Sequence, residues 1–122
     1  MKKVMLLILT VLLVFSINAQ NTADKIAGNW YSQDLDQSTI NVYKAADGFW
    51  YANIIKSADS KKIGKTLLSK IKFNTADNNY TGILTSPTNS MEINATITLT
   101  TNGKLKLVGK KLFITKTYMF TQ

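Results

Sequence analysis

Residues 91–100 read MEINATITLT, and apolar and polar side chains alternate through the whole stretch. The apolar positions are Met91, Ile93, Ala95, Ile97 and Leu99. The positions between them carry a glutamate, an asparagine and three threonines. A period of two predicts a β-strand, because a helix would repeat every 3.6 residues or so. We therefore expect a strand with one face in a core and the other in water.

The same reading extends to both sides of this stretch. Eight segments are predicted as strands, namely 28–33, 38–44, 49–56, 67–73, 80–85, 91–100, 104–110 and 112–121. Asp47-Gly48 and Asn102-Gly103 are two-residue hairpin signals. Residues 21–27 predict a short helical turn before the first strand, and the polar residues 57–65 predict a mobile flap or a broken helix.

Consecutive strands joined by hairpins favour one fold class. They close most simply into an eight-stranded antiparallel up-and-down barrel, because closure removes exposed sheet edges. We expect this all-β barrel to form a single domain over residues 20–122. A two-sheet β-sandwich is the structural alternative. An eight-stranded barrel has an interior that side chains fill or that holds one small ligand.

The first nineteen residues have the organisation of a secretory signal peptide. Lys2 and Lys3 precede the uncharged apolar run 4–15, and a small residue, Ala19, ends the segment. We expect cleavage after Ala19 and export to the periplasm or beyond the cell. The run is shorter than the roughly 20 residues that a membrane span needs, so no integral membrane segment is predicted in the mature chain. An uncleaved anchor helix is the alternative.

Composition argues against several classes of function. The chain carries a net charge of +8 but contains no arginine, the residue on which phosphate and base recognition depends most, so we predict no nucleic-acid partner. It contains no histidine and no cysteine, and we predict no cofactor, no metal site and no enzymatic activity. Gly64-Lys65-Thr66 matches only the tail of a phosphate-binding loop, and residues 69–72 match Ser-x-x-Lys without its partner motifs.

Two families share features with this chain. The triplet Gly28-Asn29-Trp30 resembles the Gly-x-Trp signature of lipocalins and other calycins. That resemblance implies a tryptophan that closes one end of a barrel against a basic residue of the last strand. Residues 26–120 resemble a family of small exported bacterial proteins, the domain of unknown function two-one-four-seven. The matching stretches are Gly28-x-Trp30, 40–43, 47–54, Gly64, 80–87 and 105–109.

The chain also departs from that family. The family tends to carry Asp-Pro followed by a Gly-Lys turn, where this chain has Ser86-Pro87 and Ser90-Met91. It usually ends in a strand with Trp and Arg, where residues 115–118 read TKTY. A site built from those family residues would be altered here. The resemblance implies an exported β-rich protein and no particular activity.

The inward faces contain one exception to apolar patterning. The third strand is predicted to point Trp50, Ala52 and Ile54 inward, and the last strand places Lys116 on the face of Leu112, Ile114, Tyr118 and Phe120. A lysine on an apolar face is unusual. It would cover Trp30 through a cation–π contact, bind the acidic head of a ligand, or be solvated if the face is misassigned.

Two hypotheses of function follow. The first is a binding module with an interior pocket for a small apolar or lipid-like ligand. Its predicted lining is Trp30, Trp50, Ile54, Ile93, Ile97, Lys116 and Tyr118. The second is a structural or protein-interaction role in the cell envelope, with a solidly packed barrel.

Overall fold

The computed structural model describes residues 24–122. The predicted signal peptide, residues 1–19, lies outside the described residues. Within these residues the chain forms eight strands and two 3₁₀ turns: η1 (Asp24–Ile26), β1 (Gly28–Ser32), β2 (Ser38–Lys44), β3 (Trp50–Lys56), η2 (Ser60–Lys62), β4 (Thr66–Asn74), β5 (Asn79–Thr85), β6 (Glu92–Leu99), β7 (Leu105–Lys111) and β8 (Ile114–Phe120). Among the helical elements described, none has the length and apolar character that crossing a membrane would require.

Each strand pairs antiparallel with its neighbours in sequence, so the eight strands form one sheet in the order β1 to β8. The sheet curls into a half-barrel, and its two edge strands meet at a bridge between Tyr31 and Thr121. Each of these residues donates its backbone N–H to the other's carbonyl, at 2.7 and 2.8 Å. The Asp34 carboxylate accepts from the Met119 N–H beside this seam. The predicted up-and-down antiparallel fold is confirmed.

The topology gives the molecule two distinct ends. The Phe113 end comprises the connections 33–37, 57–65, 86–91 and 112–113. The Trp30 end comprises the connections 45–49, 75–78 and 100–104, together with η1. The two hairpin signals, Asp47-Gly48 and Asn102-Gly103, both lie at the Trp30 end. Gly103 has a φ of +79°, a conformation that glycine adopts without steric cost.

The core lies on the concave face of the sheet, where alternate side chains are buried. Trp50, Ala52 and Ile54 of β3 are buried, which confirms the predicted inward face of that strand. Ile93 and Ala95 of β6 are buried on the same side of the sheet. Burying such side chains contributes about 1.5–3 kcal/mol for each large one, so the core is the main source of stability.

One predicted boundary is wrong in an informative way. The predicted last strand began at residue 112, but Lys111 pairs with Ile114 and leaves Leu112 and Phe113 as a two-residue turn. Leu112 is 92% exposed with a φ of +52°, so it does not share the inward face of β8. The connection 57–65 contains the short turn η2. In that turn the backbone N–H of Lys61 donates to Asp59 Oδ1.

Candidate functional site

A small, mostly apolar cavity opens at the Phe113 end of the sheet. Its volume is about 70 Å³. Side chains of β4, β5, β6 and β8 and the connection 86–91 surround it. The lining consists of Leu67, Leu84, Ser86, Pro87, Asn89, Met91, Ile93, Ile114, Lys116 and Tyr118.

The cavity has a buried floor and an exposed mouth. Leu67, Leu84 and Ile93 are buried and form the floor. Ile114 and Lys116 are exposed and stand at the mouth. Lys116 therefore lies on the inward face of β8, as its strand position predicts, but near the open end where water reaches its ammonium group. Within residues 24–122 the ammonium group makes no hydrogen bond or ion pair.

Tyr118 supplies a second polar group beside Lys116. Partial burial raises the pKa of the Tyr118 hydroxyl. Lys62 opposes this shift in pKa, and the carboxylates of Asp36 and Asp34 add to it. The hydroxyl therefore stays protonated at neutral pH, and it makes no hydrogen bond within the described part of the chain. The mouth thus presents an ammonium group and a neutral hydroxyl donor.

The connection 86–91 forms one wall of the cavity and is held in place by hydrogen bonds. The Ser86 N–H donates to the Met91 carbonyl at 2.8 Å, and the Ser90 N–H donates to the Ser86 carbonyl at 3.0 Å. Lys65 Nζ donates to the Pro87 carbonyl at 2.7 Å, which ties this wall to the connection 57–65. The connection 57–65 therefore supports the wall of the cavity that the connection 86–91 forms.

The absence of a side chain at Gly109 shapes the floor. A Cβ at this position of β7 would lie 2.5 Å from Ile93 Cδ1 and 2.9 Å from Leu84 Cδ2. Such distances are shorter than real Cβ contacts, so Ile93 and Leu84 occupy the space that a side chain would need. Gly109 thereby allows two floor residues to pack directly on the backbone of β7.

Trp30 lies at the other end of the molecule. It is 2% exposed, and its Nε1–H donates to the Ile26 carbonyl of the η1 segment at 2.9 Å. It lines an open cleft, of about 560 Å³, together with Lys25, Tyr80 and Leu99 among others. Burial of Trp30 at one end of the sheet agrees with the prediction.

The predicted contact between Trp30 and Lys116 is wrong. Thr121, directly after β8, pairs with Tyr31, the neighbour of Trp30, and Lys116 precedes Thr121 by five residues (121 − 116). At a rise of about 3.4 Å per residue, that separation is roughly 17 Å. The lysine that lines the cleft of Trp30 is Lys25. In the described chain, the cation–π contact is instead Lys70 over Phe49 on the outer face, at 5.5 Å.

The seven residues of the predicted pocket separate into three groups. Ile93, Lys116 and Tyr118 come together around the cavity. Trp30 lines the opposite cleft. The remaining three, Trp50, Ile54 and Ile97, are buried in the core.

The sequence analysis did not identify Leu67, Leu84, Met91 and Ile114 as site residues. The alternation of side chains along β5 could have indicated Leu84 as an inward residue, because Leu84 lies on the same face as Tyr80. No such signal exists for Leu67, because both Leu67 and Leu68 are buried beside an irregular register between β3 and β4.

The described residues contain no cluster of three or more histidine, cysteine, aspartate or glutamate side chains that could hold a metal ion. Asp36 forms an ion pair with Lys62 at the Phe113 end. On the outer face, a hydrogen bond from the Tyr51 hydroxyl lowers the pKa of Asp47. Both acids thus have ordinary structural partners.

Family models, curated protein sequences and solved structures were each compared with the chain, and none of them matches it.

Proposed function

We propose that this protein is an exported binding module that takes a small apolar group bearing an acid at the mouth of the cavity. The observation that carries this proposal is the position of Lys116, a cation at the mouth of an otherwise apolar cavity. An apolar site with a few convergent polar groups is the usual form of a small-molecule site. The Tyr118 hydroxyl offers a second donor to the same acid.

The size of the cavity limits what it would hold. Pockets that enclose a drug-sized ligand measure roughly 300–1,000 Å³. The cavity here is about 70 Å³, so it would enclose only one end of a hydrocarbon chain or one apolar ring substituent. The rest of the ligand would lie across the mouth, where the exposed side chains of Ile114 and Met91 provide apolar contact. A short fatty acid has these two parts, an apolar end for the cavity and a carboxylate for the mouth.

The test is a pair of titrations with octanoic acid and octanol. We expect the acid to bind saturably and Lys116→Met to weaken its binding by about tenfold or more, because a hydrogen bond to a charged group contributes roughly 1.5–3 kcal/mol. Octanol binding should not depend on Lys116. The matched control is Lys106→Met, which removes an exposed lysine from the outer face of β7. Absence of saturable binding, or equal losses in both variants, would contradict the proposal.

A second candidate function is a structural or protein-interaction role. It is favoured by the filling of the interior: Trp50, Ile54 and Ile97 pack into the core instead of lining a pocket. In that case function would reside on the outer faces and the connections. A failure of both ligands to bind would favour this candidate.

Export and family membership complete the proposal. The order of charges and apolar residues in 1–19 supports export, and N-terminal sequencing of the secreted protein should find Gln20 first. Recovery of the chain with Met1 intact would contradict it. Relationship to the domain of unknown function two-one-four-seven is proposed on the ordered series of matching stretches in 26–120, together with the lipocalin-like Gly28-x-Trp30 start.

A further inference from the structure

We propose that the turn between β7 and β8, the hairpin tip formed by Leu112 and Phe113, inserts into the surface of an anionic lipid bilayer. The inference is independent of the ligand proposed for the cavity. It rests on the exposure of the hairpin tip, on its backbone conformation and on the charges around it.

The hairpin tip exposes two large apolar side chains completely. Leu112 is 92% exposed and Phe113 is 103% exposed, the highest values among the large apolar residues described. Ile114, Met91 and Ile63 are also exposed at the same end of the molecule. At the Trp30 end, by contrast, the connections 75–78 and 100–104 contain no large apolar residue, Phe49 of the connection 45–49 is half-buried, and Tyr43 is only 38% exposed. The apolar exposure is therefore concentrated at one end.

The backbone of the hairpin tip adds a second observation. Leu112 has a φ of +52°, a left-handed conformation that glycine or asparagine adopts at lower cost. The other non-glycine residues with positive φ in the described chain are polar or charged. A turn that needed only to connect β7 to β8 would be more stable with asparagine or glycine at this position. Strained residues of this kind concentrate at functional sites.

The charges around the hairpin tip indicate the chemistry of the surface that it meets. Lys110 and Lys111 directly precede the tip, and Lys65 and Lys116 stand at the neighbouring cavity. Glu92 is the acid beside this group. Basic residues that flank an apolar protrusion suit a bilayer with anionic headgroups, and each contributes attraction within a short distance of the surface.

The other acids at the Phe113 end are engaged with protein groups. Asp34 accepts from the Met119 N–H, and Asp36 pairs with Lys62. Asp59 accepts from the Lys61 N–H. The pairing with Lys62 neutralises Asp36, whereas Asp34 and Asp59 keep their negative charge and reduce the net attraction to an anionic surface.

The dimensions of the hairpin tip favour a bilayer over a protein partner. A buried aromatic side chain covers roughly 150–250 Å², so a two-residue tip offers a few hundred Å² at most. A specific protein interface buries about 800 Å² on each partner and needs a complementary shape. A bilayer surface needs no complementary shape. Binding to it becomes stronger with the apolar area inserted and with the attraction between basic side chains and anionic lipids.

The first experiment measures binding of the full chain to vesicles of phosphatidylcholine, with and without phosphatidylglycerol, by co-sedimentation. We expect binding to the anionic vesicles only. Leu112→Ser with Phe113→Ser should weaken it by about tenfold or more, the scale set by removing large apolar side chains from a buried site. The control is Tyr43→Ser, which removes an exposed aromatic side chain near the Trp30 end. Residues 1–23 are the same in every variant.

Charge is tested with two matched pairs of substitutions on one hairpin strand. Lys110→Gln with Lys111→Gln should weaken binding to anionic vesicles by about thirtyfold, since each lysine near the surface contributes about fivefold. Lys104→Gln with Lys106→Gln removes the same charge at the other end of β7 and should have a smaller effect. If the two pairs of substitutions weaken vesicle binding equally, the proposal that the Phe113 end contacts the bilayer is overturned.

A local reporter identifies which end inserts. Phe113→Trp should show a blue shift on binding and quenching by brominated lipid, whereas Asn102→Trp at the opposite end should show neither. Equal quenching at both positions, or none at Phe113→Trp, would overturn the proposal. Concentration-dependent dimerisation that the Leu112→Ser/Phe113→Ser variant abolishes, without vesicle binding, would also overturn it and would assign the tip to a second copy of the chain.

Discussion

Lys116 lies directly opposite Gly109 in the β7–β8 ladder, so the cation of the cavity stands beside a position that has no side chain. The space over Gly109 is filled by Ile93 of the neighbouring strand β6 and by Leu84 of β5. The charged mouth and the apolar floor of the cavity therefore meet at a single cross-strand pair. A change at Gly109 should affect the floor without removing any polar group.

We expect Gly109→Ala to destabilise the protein by about 1–3 kcal/mol, the usual cost of overpacking. The added Cβ would lie 2.5 Å from Ile93 Cδ1. Ile93→Val deletes that Cδ1 atom, so the double variant should recover part of the loss. Urea unfolding followed by circular dichroism measures both effects. A single variant as stable as the parent would show that the floor adjusts freely.

Trp30→Ala should cost about 3–5 kcal/mol, because it empties a buried site of a large aromatic side chain. Trp30→Phe should cost less, since it retains a ring but leaves the Ile26 carbonyl without its donor. Chemical unfolding of the two variants separates the packing contribution from the hydrogen bond. Equal losses in both would mean that ring volume contributes nothing.

Stability should fall as the pH rises from 10 to about 12. Burial raises the pKa of Tyr80 from 10.0 to about 12, so in this interval the unfolded chain has lost a proton that the native chain retains. Because the unfolded state binds fewer protons, the free energy of unfolding decreases with pH. Below pH 10 Tyr80 contributes no such slope.

The matched control is Tyr80→Phe, which cannot titrate. Lysines also titrate in this interval, so the informative quantity is the difference in slope between the parent and the variant. Parallel curves for the two proteins would contradict the prediction.

Leu112→Asn should stabilise the protein by about 1 kcal/mol, because asparagine tolerates the left-handed backbone that leucine adopts at a cost. Phe113→Asn serves as the control, since Phe113 is equally exposed but is not among the residues with positive φ. A thermal unfolding comparison suffices. If both substitutions change the midpoint equally, backbone strain at Leu112 is not the cause.

The fold was predictable from the sequence because each strand carries its own signal. Alternation in 91–100 and the glycines of Asp47-Gly48 and Asn102-Gly103 define strands and turns locally. The turn between β7 and β8 was predicted, but one residue too early, between strands 104–110 and 112–121. The turn contains neither glycine nor asparagine, so nothing in the local sequence marks Leu112 and Phe113 as the point where the chain reverses.

The candidate site was predictable only in part. Alternation places Lys116 on the inward face of β8, and that face is correct. It carries no information on how far along the barrel axis a residue lies, which depends on strand register and on the seam at Tyr31 and Thr121. For that reason the sequence admits a contact between Lys116 and Trp30 as one of its three alternatives, although the two residues lie at opposite ends.

The seam also bears on the order in which the protein folds. Seven ladders join strands that are neighbours in sequence, and each can form as soon as its hairpin exists. The bridge from Tyr31 to Thr121 joins residues 90 positions apart (121 − 31), so its closure has the largest entropic cost. Thr121 follows β8 in the chain, so it leaves the ribosome after the residues of all seven ladders. Ladders that form before the bridge therefore leave β1 and β8 with unpaired edges, and such edges can pair with other chains and aggregate.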